Sequence, residues 1–234
     1  MPRSSVATNG PIASSAIRPL RGGALFLDFI NTLDRVGGTD APDTLPAFDE
    51  LAPGYANLLA WAEAAGIVDE PLAESLRRIA RKDGRAAAAV RRRAATLREA
   101  LHAIATAMMA GTPPGAEPLA TLDAEVQLLS RAQELAVIEG RLVSRTAPGH
   151  ERELDAILRP VVRSALEVLG GQGAGRIRMC AAPECRTLFL DTTKNGSRRF
   201  CSASGCGNVT RIRRFRARQA ASDTPTATTT VTTA

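Results

Sequence analysis

Aromatic residues make up only 3% of the 234-residue chain, with one Trp, one Tyr and six Phe. The core must therefore be filled mainly by Leu, Ala, Val and Ile, and the 44% hydrophobic content is enough for that. Histidine is scarcer still. His102 falls in a helical pattern, His150 sits beside a loop, and neither has an evident nucleophile partner. The sequence has no P-loop, no Gly-x-Ser-x-Gly elbow and no dinucleotide fingerprint. These absences lead us to expect that the chain is not an enzyme. Long apolar runs are also missing: no stretch approaches eighteen uninterrupted apolar residues, and residues 1–18 lack an apolar run after a basic start. Neither a membrane span nor a signal peptide is expected, so the expected location is the cytoplasm, with no membrane partner.

Cysteine occurs only four times, in two matched pairs. Cys180 and Cys185 form one C-x4-C pair, and Cys201 and Cys206 form the other, fifteen residues further on. Four thiolates can close a tetrahedral Zn2+ shell with no open position. Pro183 in the first loop and Gly205 in the second permit the tight turns needed to aim both sulfurs of a pair at one ion. The alternative, two disulfides, suits a secreted protein, and nothing else in the chain argues for secretion. No His or carboxylate is spaced to leave a coordination position open, so the expected metal is one structural Zn2+.

The charge is unevenly spread. The whole chain carries +6, yet residues 176–219 hold eleven Arg or Lys against only Glu184 and Asp191. That stretch alone is +9, leaving the rest at −3. A basic end on a mildly acidic body suggests nucleic-acid binding, the alternative being a solvated basic tail.

Taken in order, residues 1–18 are rich in Ser, Ala, Pro and Gly and are expected to be disordered. Leu25, Phe26, Phe29, Ile30 and Leu33 fit a helix face. Asp28 and Asn31 interrupt this apolar stretch. They are candidates for a small-molecule or subunit contact, the alternative being capping or hydrogen bonding inside the domain. A loop is expected at residues 37–42. A helix from Leu58 to Ala65, closed by Gly66, should be followed by one opened by Asp69 and Pro71. This pair faintly resembles a helix-turn-helix. However, Asp69, Glu70 and Glu74 at the would-be recognition end oppose phosphate, so a core helical hairpin is expected.

The longest helix is expected over 85–110, with Arg91, Arg92, Arg93 and Arg98 as a solvated face. Another runs from about Pro118 to Ala132. Two β-prone runs flanking Glu139-Gly140 predict a hairpin within 135–144. Residues 151–169 return to helix, kinked at Pro160. The glycine-rich stretch 170–175 reads as a flexible joint and domain boundary. The expected layout is a disordered tail at 1–18, a helical domain at 19–171, a finger at 176–219 and a disordered tail at 220–234. The expected class is α+β, mainly α: a helical N-terminal domain with a small β-hairpin, then a small treble-clef-like or ribbon-like four-cysteine zinc finger with a basic C-terminal helix.

The cysteine stretch reads C-x4-C, then Leu188-Phe189-Leu190-Asp191, then Ser197-Arg198-Arg199-Phe200-Cys201, then Cys206-Gly207-Asn208, then a basic helix. This pattern resembles the CGNR zinc finger over about forty residues. The arginine that closes the family's signature is Val209 here. Upstream, Leu27-Asp28-Phe29-Ile30-Asn31-Thr32 and Leu58-Leu59-Ala60-Trp61 resemble the ABATE domain that commonly precedes this finger. The resemblance implies a stress-linked bacterial transcription regulator.

Such a small module cannot fold on apolar burial alone. Phe189, Phe200 and Phe215 are expected to pack over the zinc as a miniature core. Asn208 is expected to cap the following helix. On that helix Val209, Ile212 and Phe215 form an apolar face. Arg211, Arg214 and Arg218 share another face, flanked by Arg213 and Arg216. The residues expected to meet nucleic acid are Arg211, Arg213, Arg214 and Arg218, with Arg198 and Arg199 clamping phosphates beside Cys201. DNA is the expected partner. The helical domain is expected to sense an effector or to pair two copies of the chain. The alternative is a zinc-stabilised protein-interaction module that binds no DNA.

Overall fold

The computed structural model describes residues 20–33 and 54–222, with side chains placed to residue 219. The tail expected at 1–18 and the loop expected at 37–42 lie outside the described residues. So does the C-terminal tail from 223, while residues 220–222 continue the last helix.

Six helices build the N-terminal part: α1 (Leu25–Ile30), α2 (Tyr55–Ala64), α3 (Glu70–Lys82), α4 (Gly84–Met109), α5 (Ala116–Arg131) and α6 (Leu158–Leu169). Two start where a short acid can take the free amides of the first turn. The Asp69 carboxylate accepts from the Leu72 N–H at 3.0 Å, and Asp83 from the Ala86 N–H at 2.9 Å. Short α1 is the most buried element. Phe26, Leu27, Phe29 and Ile30 are all sequestered between α4 and α6. The Phe29 ring meets Trp61 of α2 at 5.2 Å between centroids, so the chain's single Trp lies at the centre of the core.

Between α5 and α6, β1 (Gln133–Ile138) and β2 (Arg141–Thr146) form the antiparallel hairpin, with Val137 opposite Leu142. Glu139 (φ 49°) and Gly140 (φ 74°) turn it. Two successive left-handed residues make the tight turn whose twist matches the strands. Leu135, Val137 and Leu142 stand outward, away from the core.

Two expectations change here. Pro160 does not kink a long helix. A 3-10 turn at Leu154–Ile157 precedes α6, so Pro160 falls in the first turn, where its missing N–H has no partner to lose. Nor do Arg93 and Arg98 belong to a solvated face. Arg93 bridges Glu125 on α5 (2.6 Å) and Asp155 (3.0 Å). Arg98 is 2% exposed, and its guanidinium donates to the Thr32 hydroxyl at 3.1 Å. A helix of 26 residues surrounded by neighbours buries part of its basic stripe, and buried charges acquire partners.

After α6 come β3 (Ile177–Met179), β4 (Leu188–Leu190) and α7 (Asn208–Ser222). β3 and β4 pair antiparallel, with Arg178 opposite Phe189. The stretch 170–175 is not a free joint. It leads into a 3-10 turn, Ala174–Arg176, that packs on α4. Ile177 and Leu188, both 0% exposed, belong to the same core as α1 and α4. Apolar side chains on the inner face of this two-stranded sheet need a partner, and the helical core is the one within reach.

Candidate metal centre and nucleic-acid interface

The two cysteine pairs meet at one end of this small sheet, beside the loop that joins β3 to β4. Cys180 directly follows β3, Cys185 precedes β4, and Cys201 and Cys206 flank the turn that leads into α7. The second pair feeds straight into a helix, as in the treble-clef-like form of the expected finger. All four sulfurs lie within 4.8 Å of one another, with Cys185–Cys201 at 3.8 Å and Cys201–Cys206 at 3.7 Å. A tetrahedron built on Zn–S bonds of about 2.3 Å has edges of about 3.8 Å, so this cage fits one Zn2+. Two second-sphere contacts orient it: the Cys201 N–H points at Cys180 Sγ (3.5 Å), and the Thr187 hydroxyl lies 3.2 Å from Cys185 Sγ. Four thiols this close cannot all ionise without a cation. A hydrogen bond from Cys201 pulls the Cys185 thiol down, and that same interaction pushes Cys201 up. A bound Zn2+ removes the conflict by neutralising the shared negative charge.

The finger's own core is smaller than expected. Phe189 is 0% exposed against Cys180 and Cys201, and Phe200 packs beside them. Phe215 does not join them and is 60% exposed. The helix carries it beyond the metal: of its residues between 208 and 219, only Thr210 is buried. Nor does Asn208 act as a cap. A π-helical turn, Ala203–Gly207, already winds the chain before it. Ser202 is the residue that caps, its hydroxyl accepting from the Gly205 N–H at 3.0 Å.

The basic residues fall into two groups. Arg198 lies inside the finger. Its guanidinium donates to the carbonyl oxygens of Phe200 (3.1 Å), Cys201 (2.5 Å), Leu190 (3.4 Å) and Arg21 (3.4 Å), and sits 4.4 Å above the Phe189 ring. Four acceptors and an aromatic face occupy most of its five N–H donors inside the finger. Arg176 is likewise committed, to the carbonyl oxygens of Asp191 and Thr193 at 3.2 and 2.7 Å. Arg199, by contrast, is exposed, 6.0 Å from the Phe200 ring centroid. Arg213 forms a two-pronged pair with Glu184 at 3.1 and 3.3 Å, tying α7 to the first cysteine loop. That exposed pair contributes about 0–1 kcal/mol. Arg211, Arg214, Arg216 and Arg218 are exposed and make no hydrogen bond or ion pair among the described residues. Val209, Ile212 and Phe215 line the adjacent stripe at 47%, 42% and 60% exposure.

Asp191 was not singled out by its chemistry in the sequence, yet it organises the loop before Cys201. It is 0% exposed. It accepts from the Thr193 hydroxyl (2.6 Å) and from the N–H groups of Thr193 and Arg198 (both 2.9 Å). The Thr193 hydroxyl first, then these amides and the Arg176 charge, hold its carboxyl below the ordinary 3.8. A carboxylate depressed in the folded state stabilises above its unfolded pKa, and that stability is lost as pH falls through the folded value. The Arg198 amide should therefore be protected from hydrogen exchange at neutral pH. In Asp191→Asn that protection should be weak at neutral pH, which proton exchange measured by NMR would read. The sequence signal was there in Asp191-x-Thr193, a turn-forming pattern, with Gly196 at φ 61° closing the loop.

Asp28 and Asn31 both make hydrogen bonds inside the chain, the alternative weighed against a ligand or subunit contact. Asp28 Oδ1 accepts from the N–H groups of Arg21 and Gly22, each at 2.7 Å. Burial pushes its carboxyl up, and these two amides oppose the shift. The Asn31 amide brackets one residue of the finger, donating to the Leu188 carbonyl at 2.9 Å and accepting from the Leu188 N–H at 3.0 Å. It serves as a neighbouring strand would for β4. Two residues further along the same edge of β4, the Leu190 N–H donates to the Gly22 carbonyl at 2.7 Å. Gly22 is required there, because a Cβ would meet the Leu27 Cβ at 2.7 Å. Asn31→Ala leaves both Leu188 groups without partners at a packed interface. A loss of about 1–3 kcal/mol in urea unfolding is expected, with zinc retained.

Comparison with known families agrees with this geometry. Residues 176–219 match the CGNR zinc finger model. Residues 23–172 match ABATE, described as "Putative stress-induced transcription regulator". No curated protein matches the chain. Among the described residues, no helix is long and apolar enough to cross a membrane. The chain belongs to the ABATE family, its helical part followed by a four-cysteine zinc finger of the CGNR type.

Proposed function

We propose that this protein is a DNA-binding transcription regulator of the cytoplasm, not an enzyme, in which the finger meets DNA and the helical part senses a signal or pairs two copies. The observation that carries this reading is α7. Arg211, Arg214 and Arg218 lie at i, i+3 and i+7, exposed and uncommitted among the described residues, on a helix anchored to the metal cage. A rigid helix with one arginine stripe has the shape and charge to follow a groove. Arg199 is placed to add a phosphate contact beside it. The exposed stripe of Val209, Ile212 and Phe215 supports a second reading, in which α7 docks on a protein partner.

Selection from a random DNA pool by zinc-loaded protein, followed by a salt titration of the selected site, separates the two. Under the DNA reading, affinity falls steeply with salt. Val209→Arg, which restores the family residue at an exposed position, should then tighten binding to all sequences alike and steepen the salt slope by about one. Absence of DNA binding at low salt would leave the protein-docking reading in its place.

A further inference from the structure

A cleft of about 490 Å3 opens on the helical part, away from the zinc cage. Its size suits a small molecule. Leu25, Ile67, Val68 and Leu72 give it an apolar wall, and residues of α6 line it as well. The charged groups around it are not equivalent. Arg159 is committed to the His150 carbonyl at 2.6 Å, to Asp155 at 3.1 Å and to Glu153. Glu151 turns back to accept from the Gly149 N–H at 2.9 Å. Arg163 and Glu167, one turn apart on α6, both line the cleft and are exposed. Neither makes a hydrogen bond or ion pair among the described residues. A cation and an anion one helical turn apart commonly pair with each other. Here each stands open beside an apolar wall.

We propose that this cleft binds a zwitterionic molecule with an apolar body, its carboxylate on Arg163 and its ammonium on Glu167, with the body against Leu25, Ile67, Val68 and Leu72. That is the chemistry shared by a free apolar amino acid and a short apolar peptide. The proposal names a ligand class for the sensing role proposed above and rests on that reading for its purpose. The cleft also reaches the finger through α1. Leu25 lines it, and Ser164, another lining residue, accepts from the Phe26 N–H at 3.3 Å. Asn31, at the end of the same short helix, holds Leu188 of the finger.

Calorimetry on the full zinc-loaded chain, without DNA, tests the site. The probes are L-phenylalanine, the dipeptide leucyl-phenylalanine, 3-phenylpropionate and 2-phenylethylamine. One or both zwitterions should bind saturably, one per chain, and the tighter of them identifies the source. The two probes with a single charge should bind at least about tenfold more weakly, the scale of one charge-assisted hydrogen bond. Arg163→Gln and Glu167→Gln alter exposed side chains, so their thermal unfolding should match the parent while each weakens the zwitterion about tenfold. The proposal is overturned if neither zwitterion gives saturable heat, if either singly charged probe binds as well, or if Arg163→Gln leaves binding unchanged. Because no DNA is present, a failed DNA titration would leave a positive result here standing, and the reverse holds as well.

Discussion

Cys201→Ser protein is expected to purify without zinc, with its finger melted and the helical core beneath it loosened. Cys201 is 2% exposed and sits 3.8 and 3.7 Å from the sulfurs of Cys185 and Cys206, so its loss opens the cage at its centre. Structural zinc in small fingers contributes on the order of 10–16 kcal/mol of apparent binding energy, which a module this size cannot replace. The damage should not stop at residue 176. Ile177 and Leu188 are both fully buried in the core that holds α1 and α4. Withdrawing each is comparable to deleting a core Leu or Ile, at about 2–5 kcal/mol. Metal analysis should fall from about one equivalent to none. Hydrogen exchange should quicken in α1 and α4 as well as in β3 and β4. A variant that kept its zinc would refute the ligand assignment. Zinc loss with unchanged exchange in α1 and α4 would show that the finger can separate from the helical part.

The shared core is where the chain's own pattern was least informative. The glycines at 170, 171, 173 and 175 look like a hinge because a local reading sees only backbone freedom. What holds the finger is a set of contacts between residues far apart in the chain, such as Asn31 with Leu188. Some local signals were enough by themselves, although the expected Pro160 kink and Asn208 cap were displaced by the turns that precede them. Two C-x4-C pairs can serve one ion from their spacing alone. Glu139-Gly140 between two β-prone runs announces its hairpin. Arg198 and Arg199 mark the limit. They are adjacent and chemically identical, yet one is caged by four carbonyl oxygens and the other faces solvent. Phe189 and Phe215 divide in the same way, because strand β4 turns inward while α7 runs past the metal into solvent. Counting charge or aromatics along the chain cannot make those distinctions. The net +9 of the finger therefore overstates what is free for a partner, since Arg176 and Arg198 neutralise the finger's own carbonyl dipoles.

That division yields the second large effect. The triple variant Arg211→Ala, Arg214→Ala, Arg218→Ala is expected to abolish specific DNA binding while leaving zinc content and thermal unfolding unchanged. All three side chains are exposed and without partners among the described residues, so the fold loses nothing with them. Each that reads a base should contribute about 1–3 kcal/mol, and each that meets a phosphate should reduce the salt slope by about one. Arg198→Ala should behave in the opposite way. Its guanidinium donates to four carbonyl oxygens and covers Phe189, so its removal leaves partly buried acceptors unpaired and uncovers an aromatic ring. The finger should then lose zinc more readily to a chelator, with DNA binding weakened only in proportion to the unfolded fraction. Salt titration and chelator kinetics on the two variants separate these outcomes. Should the triple variant bind DNA as tightly as the parent at low salt, α7 is not the DNA-binding element. Its exposed Val209, Ile212 and Phe215 stripe would then mark it as a protein-docking helix.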